Sequence, residues 1–115
     1  MTDDEFDVMS EKVQGVITLW KPFFGIENWR LNIHFYRGAI PGNEDAAGVC
    51  HSLWEYLDAT LEFNLAELAE NDDEQLESVV VHELLHIIVD ELKTEKGSPE
   101  RVVSHLSRIL MRLSK

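Results

Sequence analysis

The sequence predicts a single α+β domain over residues 1–115. The expected order is helix–strand–strand–strand–helix–helix, with a small antiparallel three-stranded sheet packed on a central helix. Three observations predict it. Apolar residues recur at helical spacing near both ends and in 74–92. They alternate at strand spacing in 29–35 and 59–65. Gly38, Pro41, Gly42 and Asn43 mark a loop between the first strand and the second. A chain of 115 residues can enclose one core but has little room for more.

Residues 4–20 place Phe6, Met9, Val13, Val16, Ile17 and Trp20 on one helical face, and Pro22 predicts the end of that helix, with a turn at 23–25. In 29–35 the residues Trp29, Leu31, Ile33 and Phe35 face inward, which puts His34 on the solvent side. A less regular strand is expected at 48–53 and a bend at 54–58. The third strand, 59–65, turns Ala59, Leu61, Phe63 and Leu65 to one face. The closeness of these two segments predicts an antiparallel hairpin. An acidic linker at 67–73 offers Asn71, Asp72 or Asp73 as a cap for the central helix. After a break at 94–97, Ser98 and Pro99 read as a helix start. The last helix would bury Val102, Val103, Leu106, Ile109, Leu110 and Leu113.

The net charge of −12 makes a phosphate backbone a poor partner, so no nucleic acid is expected. The basic tail, with Arg101, Arg108, Arg112 and Lys115, fits a helix C-terminus. One cysteine, Cys50, rules out an intrachain disulfide and fits a reducing compartment. The acidic start Met1-Thr2-Asp3-Asp4-Glu5 lacks the pattern of a signal peptide, and no apolar run approaches membrane-spanning length. The expectation is a cytoplasmic protein with no membrane association.

The central helix carries His82-Glu83-Leu84-Leu85-His86 inside an apolar run. Shuffling a chain with this many histidines and glutamates gives about 0.02 matches to His-Glu-x-x-His, so chance is a weak explanation. Two histidines four apart lie on one helix face about a turn apart, and their imidazoles can converge on one metal ion. Glu83 sits roughly 100° around the axis from His82, beside such an ion, where a general base would stand. Hydrogen-bonding side chains are costly in an apolar helix unless they have partners. Apolar residues fill most of the other positions from Leu76 to Leu92, so the histidine stripe is the main polar feature in the buried middle of this helix.

A catalytic zinc usually takes three protein ligands. Asp90 shares the histidine face but lies roughly 12 Å along the axis from His82, which suits a supporting hydrogen bond better than ligation. Glu100 is the preferred third ligand: if the central helix ends near Glu91, the returning chain brings Glu100 within about 5–6 Å of His86 along the axis. His105 and Glu95 stay open as alternatives. Cys50 and His51 are weaker ones, read as a small buried residue and a surface histidine.

With these residues in view, the chain resembles a gluzincin-type zinc metallopeptidase of very small size. It is similar to the minigluzincins and to small phage-encoded metallopeptidase-like proteins. Residues Val80 to His86 carry the resemblance most strongly. Glu100 with Val102, Val103 and Leu106, and the Ala47-Gly48 to Ala59-Thr60 stretch, carry it more weakly. The resemblance implies that His82, His86 and Glu100 bind zinc (Zn2+) and that Glu83 acts as base and proton carrier. It also implies a peptide or protein substrate extended along an edge strand, for which 59–65 is the expected strand. Tyr56 is left out of the site as a packing residue of the bend. Two other readings remain. One is a non-catalytic, zinc-stabilised binding module, which a fourth ligand such as His105 or Cys50 would favour. The other is a latent peptidase specific for one regulatory protein.

Overall fold

The computed structural model describes residues 1–91 and 99–113. Four helices and a three-stranded mixed sheet make a small α+β fold. In chain order these are α1 (Asp3–Phe24), β1 (Arg30–Tyr36), β2 (Gly48–Leu53), β3 (Asp58–Asn64), α2 (Leu65–Ala69), α3 (Asp73–Glu91) and α4 (Pro99–Leu113). The predicted break at 94–97, the Ser98 cap and the alternative ligand Glu95 lie outside the described residues.

Helix α1 begins in a capping box, in which the Thr2 hydroxyl accepts from the Glu5 amide and the Glu5 carboxylate answers the Thr2 amide. It does not stop at Pro22. A proline in the last turn removes a single intrahelical bond, so the helix runs on to Phe24. Gly25 then ends it in the left-handed conformation (φ 64°), its amide donating to the Lys21 and Pro22 carbonyls. The buried stripe is Met9, Val13, Ile17 and Trp20.

The sheet differs from expectation in how its strands pair. The order is β1-β3-β2, with β2 antiparallel and β1 parallel to β3. The short connection between β2 and β3, a 3-10 turn at Trp54–Tyr56 followed by Leu57 in the left-handed region, gives the expected hairpin. The longer 37–47 segment carries the chain past the position beside β1, and β3 fills it. Burial explains the choice. Ala59, Leu61 and Phe63 are at most 1% exposed, and the most apolar strand gains most from the centre. Leu31, Ile33 and Phe35 of β1 lie opposite Ala59, Leu61 and Phe63, and Gly48, Cys50 and Ser52 of β2 complete that face. The opposite face is polar: Tyr36 donates to Glu62 at 2.9 Å, and Asn32 to Asp58 at 2.8 Å.

In place of the expected acidic linker, the chain forms the short helix α2. Asn64 caps it, accepting from the Glu67 amide, and Leu65 and Leu68 point into the core. Leu65 therefore belongs to a helix and not to the third strand. Asp72 caps α3 in a reciprocal pair with Gln75, at 2.8 and 3.1 Å. Helix α3 packs against α1, β2 and α4. Its Val80, Val81, Leu84 and Ile87 have no exposed surface and join Val13, Phe63 and Val103 in one core.

Polar contacts cross from α1 to α3: exposed Lys12 pairs with Asp73 at 3.0 Å, and the part-buried Trp20 indole N–H donates to the Glu77 carboxylate at 2.8 Å. Trp20 is 2% exposed, so an unpaired indole N–H there is costly. Glu77→Ala should lower stability by about 1–3 kcal/mol, while Glu77→Gln keeps an acceptor and loses less. Urea unfolding checks this, and an alanine variant as stable as wild type would show that the bond contributes nothing.

Candidate metal centre

Helix α3 supplies His82 and His86 from one face, and the first turn of α4 supplies Glu100. The Glu100 carboxylate spans the two imidazoles. One oxygen lies 2.5 Å from His82 Nε2, and the other lies 2.9 Å from His86 Nε2. The two rings stand 5.1 Å apart between centroids at 74°. All three candidate ligand atoms lie within 4.8 Å of one another. Among the described residues this is the one such group of three or more.

The last described residue of α3 is Glu91, and Pro99 opens α4 at the depth of the histidines. The two histidine side chains are 21% and 16% exposed, while that of Glu100 is 65% exposed. The imidazoles are thus fixed on a packed helix, and the carboxylate approaches from the solvent side.

Do these residues fit a cation? Ligand atoms around a tetrahedral zinc, each at about 2 Å, lie roughly 3.3 Å apart. Taken one atom per residue, the three candidate ligand atoms lie within 4.8 Å of one another, which leaves room for an ion between them. His86 Nε2 lies 2.9 Å from Glu100, while Asp90 lies 3.7 Å from His86 Nδ1, beyond hydrogen-bond distance. Asp90 accepts from the Ser52 hydroxyl of β2 at 3.5 Å. It stands beside His86 and is not a member of the ligand group, as its distance along the helix required.

Glu83 lies on the same helix, turned toward the sheet, and is 7% exposed. Its carboxyl is pushed up to about 8, first by burial, then by the negative charges of Glu100 and Asp90. Cys50 of β2 shares that environment. Burial drives its thiol well above the usual range, and Glu83 and Asp90 add to the effect. It does not join the ligand group. His51 lies on the other sheet face, 65% exposed and 3.6 Å from Glu62, and His34 is exposed there too. The side chain of His105 is outside the described set. Tyr56 is 78% exposed.

The role of β2 was not legible. Its alternation is weak, yet it is the strand that runs beside α3, with Gly48 against Glu83 and Ser52 against Asp90. The glycine was a signal of close backbone approach, but a glycine opening a strand does not say what approaches it.

A thiol held neutral by burial and two carboxylates is a poor nucleophile. Cys50 in the native protein at pH 8 should react with iodoacetamide at least ten times more slowly than in denaturant. Mass spectrometry of timed samples reads this directly, and equal rates would show that Cys50 is not enclosed.

No protein-family model matches this sequence, and no curated protein or solved structure matches it either. The convergence of His82, His86 and Glu100 is the ground on which a function is assigned.

Proposed function

We propose that this chain is a zinc-dependent peptidase, with His82, His86 and Glu100 as metal ligands and Glu83 as general base. The observation that carries the reading is the meeting of two imidazole nitrogens and one carboxylate from separate helices, with a buried glutamate one residue from the first histidine. Two nitrogens and one oxygen suit zinc with a position left for water. Cys50, one of the residues that would close such a site as a fourth ligand, does not join the three.

The ion, when bound, would polarise the scissile carbonyl and bring the pKa of water toward neutrality. Glu83 then accepts the proton of the attacking water and delivers it to the leaving amine. For that it must be ionised. Its carboxyl is raised by its acidic neighbours as well as by burial, and positive charge among His82, His86 and Glu100 offsets the repulsion and favours the carboxylate. Asp90 stands on the Nδ1 side of His86, 3.7 Å away, opposite the Nε2 that faces Glu100.

The substrate strand is reassigned. The 59–65 segment is not an edge: β3 is paired on both sides. The strand beside α3 is β2, which has one neighbour. Its Ala47 carbonyl accepts from the Asn64 amide at 2.9 Å. Alternation along an antiparallel ladder then turns the amide groups of Gly48, Cys50 and Ser52 to the unpaired side. A peptide extended along β2 would meet those groups beside Glu83 and the histidines.

Two measurements test the reading. Purified protein should hold one zinc per chain by elemental analysis, and His86→Ala and Glu100→Ala should lose it. Zinc unaffected by Glu100→Ala would remove that residue from the ligand set. Glu83→Gln should keep the metal but cut cleavage of a quenched-fluorescent peptide library by about 10²–10⁴-fold. Undiminished cleavage would sink the role given to Glu83. One zinc per chain with no cleavage by the wild type would turn the reading to a binding module.

A further inference from the structure

We infer that Gly48 is a positioning residue for Glu83: the missing side chain at the start of β2 is what leaves room for the Glu83 carboxylate in its seat. The inference rests on the peptidase reading for its catalytic consequence, but the contact itself does not. A Cβ placed on Gly48 would lie 3.0 Å from Glu83 Cγ, 3.3 Å from Glu83 Oε2 and 3.3 Å from Phe63 Cδ1. Carbon atoms in favourable contact sit about 3.5–4.0 Å apart. Backbone conformation does not call for glycine here, because the positive-φ residues are Gly25, Gly42 and Leu57. The requirement is space alone.

The neighbours differ in how far they can yield. Phe63 has no exposed surface and stacks on Phe35 at 6.3 Å between centroids. The backbone of α3 is held by Val80, Val81 and Leu84, all fully buried. What can move is the Glu83 side chain, which has three rotatable bonds and a carboxylate at its end. An alanine at 48 therefore shifts that carboxylate by a few tenths of an ångström, while His82, His86 and Glu100 keep their places. A general base must stand within hydrogen-bond reach of the proton it takes, and misplacement by about 1 Å costs on the order of 10²-fold in rate.

The sign of the stability effect discriminates. At a strand position with open space, glycine to alanine raises stability. At a crowded one it lowers it. The experiment is a thermal-melting cycle in the presence of a chelator, with wild type, Gly48→Ala, Glu83→Ala and the double variant. Gly48→Ala should lower Tm by about 3–5 °C in the wild-type background. In the Glu83→Ala background the drop should be less than half as large, since only the Phe63 contact remains. Equal drops, or a rise in both backgrounds, would overturn the inference. If Gly48→Ala fails to fold and the double variant folds, the coupling is shown in its extreme form. If neither folds, Phe63 is the obstacle and the inference fails.

The second arm uses the zinc-loaded protein and a peptide found in the library screen. Gly48→Ala should keep one zinc per chain and the wild-type KM, with kcat reduced about three- to tenfold. An unchanged kcat in the folded variant would overturn the positioning role. A coupled melting cycle in a protein that cleaves nothing would instead overturn the peptidase reading and leave the contact standing.

Discussion

A helix enclosed on most of its circumference cannot carry polar side chains without answering them, and that constraint organises this molecule. Helix α3 is walled by α1, β2 and α4. Most of its apolar positions disappear into the core, and four of its polar ones meet specific groups. Glu77 meets the Trp20 indole. His82 and His86 share Glu100. Asp90 stands between His86 and Ser52. Each answer comes from a different element, so the polar side chains tie the helix to its surroundings in register while the apolar ones supply the burial. Translation of α4 along α3 by one turn, about 5.4 Å, would carry Glu100 past both histidines and leave three polar groups unanswered at once.

The candidate site was legible because helix geometry is rigid. A 100° step and a 1.5 Å rise suffice to place His82 against His86, to exclude Asp90 from the same ion and to bring Glu100 back within reach. The first two steps need nothing of the remaining fold, and the third needs only a helix that ends near Glu91 and a chain that doubles back. The sheet was legible only by halves. Alternation assigned the inward residues of β1 and β3, because the two faces of a strand meet different solvents. It carried no information about which strand lies beside which. Neighbour order depends on the burial available at each place in the sheet, and the apolar β3 won the centre from β2. The expected antiparallel sheet therefore became a mixed one. The short α2 was hidden for a different reason: its acidic surface reads as a linker, and only two residues, Leu65 and Leu68, give it an inner face.

The strand reassignment changes what the site can do. With β3 at the edge, a peptide would have lain opposite residues whose side chains are core. With β2 there, the strand beside the histidines is the same one that packs on α3, so its inward side chains are forced to be small: Gly48, Cys50 and Ser52. Larger residues at these positions would press on Glu83 and Asp90. The irregular pattern that made β2 hard to read is thus a consequence of its location against a polar stripe.

Charge bears on the same place. Glu83, Asp90 and Glu100 crowd around two imidazoles, and the mutual repulsion is felt at Glu83. A buried carboxylate with two others beside it would weaken a fold that needed only packing there, because burial and their charges raise the cost of ionising Glu83. Apolar residues of similar volume would serve packing better. The arrangement becomes favourable when positive charge is held among them. A divalent cation at the proposed site would supply it in one step and relieve the repulsion at Glu83. With a cation the demands of these groups would agree, and that agreement is the physical argument for the proposed metal centre over a pair of core histidines.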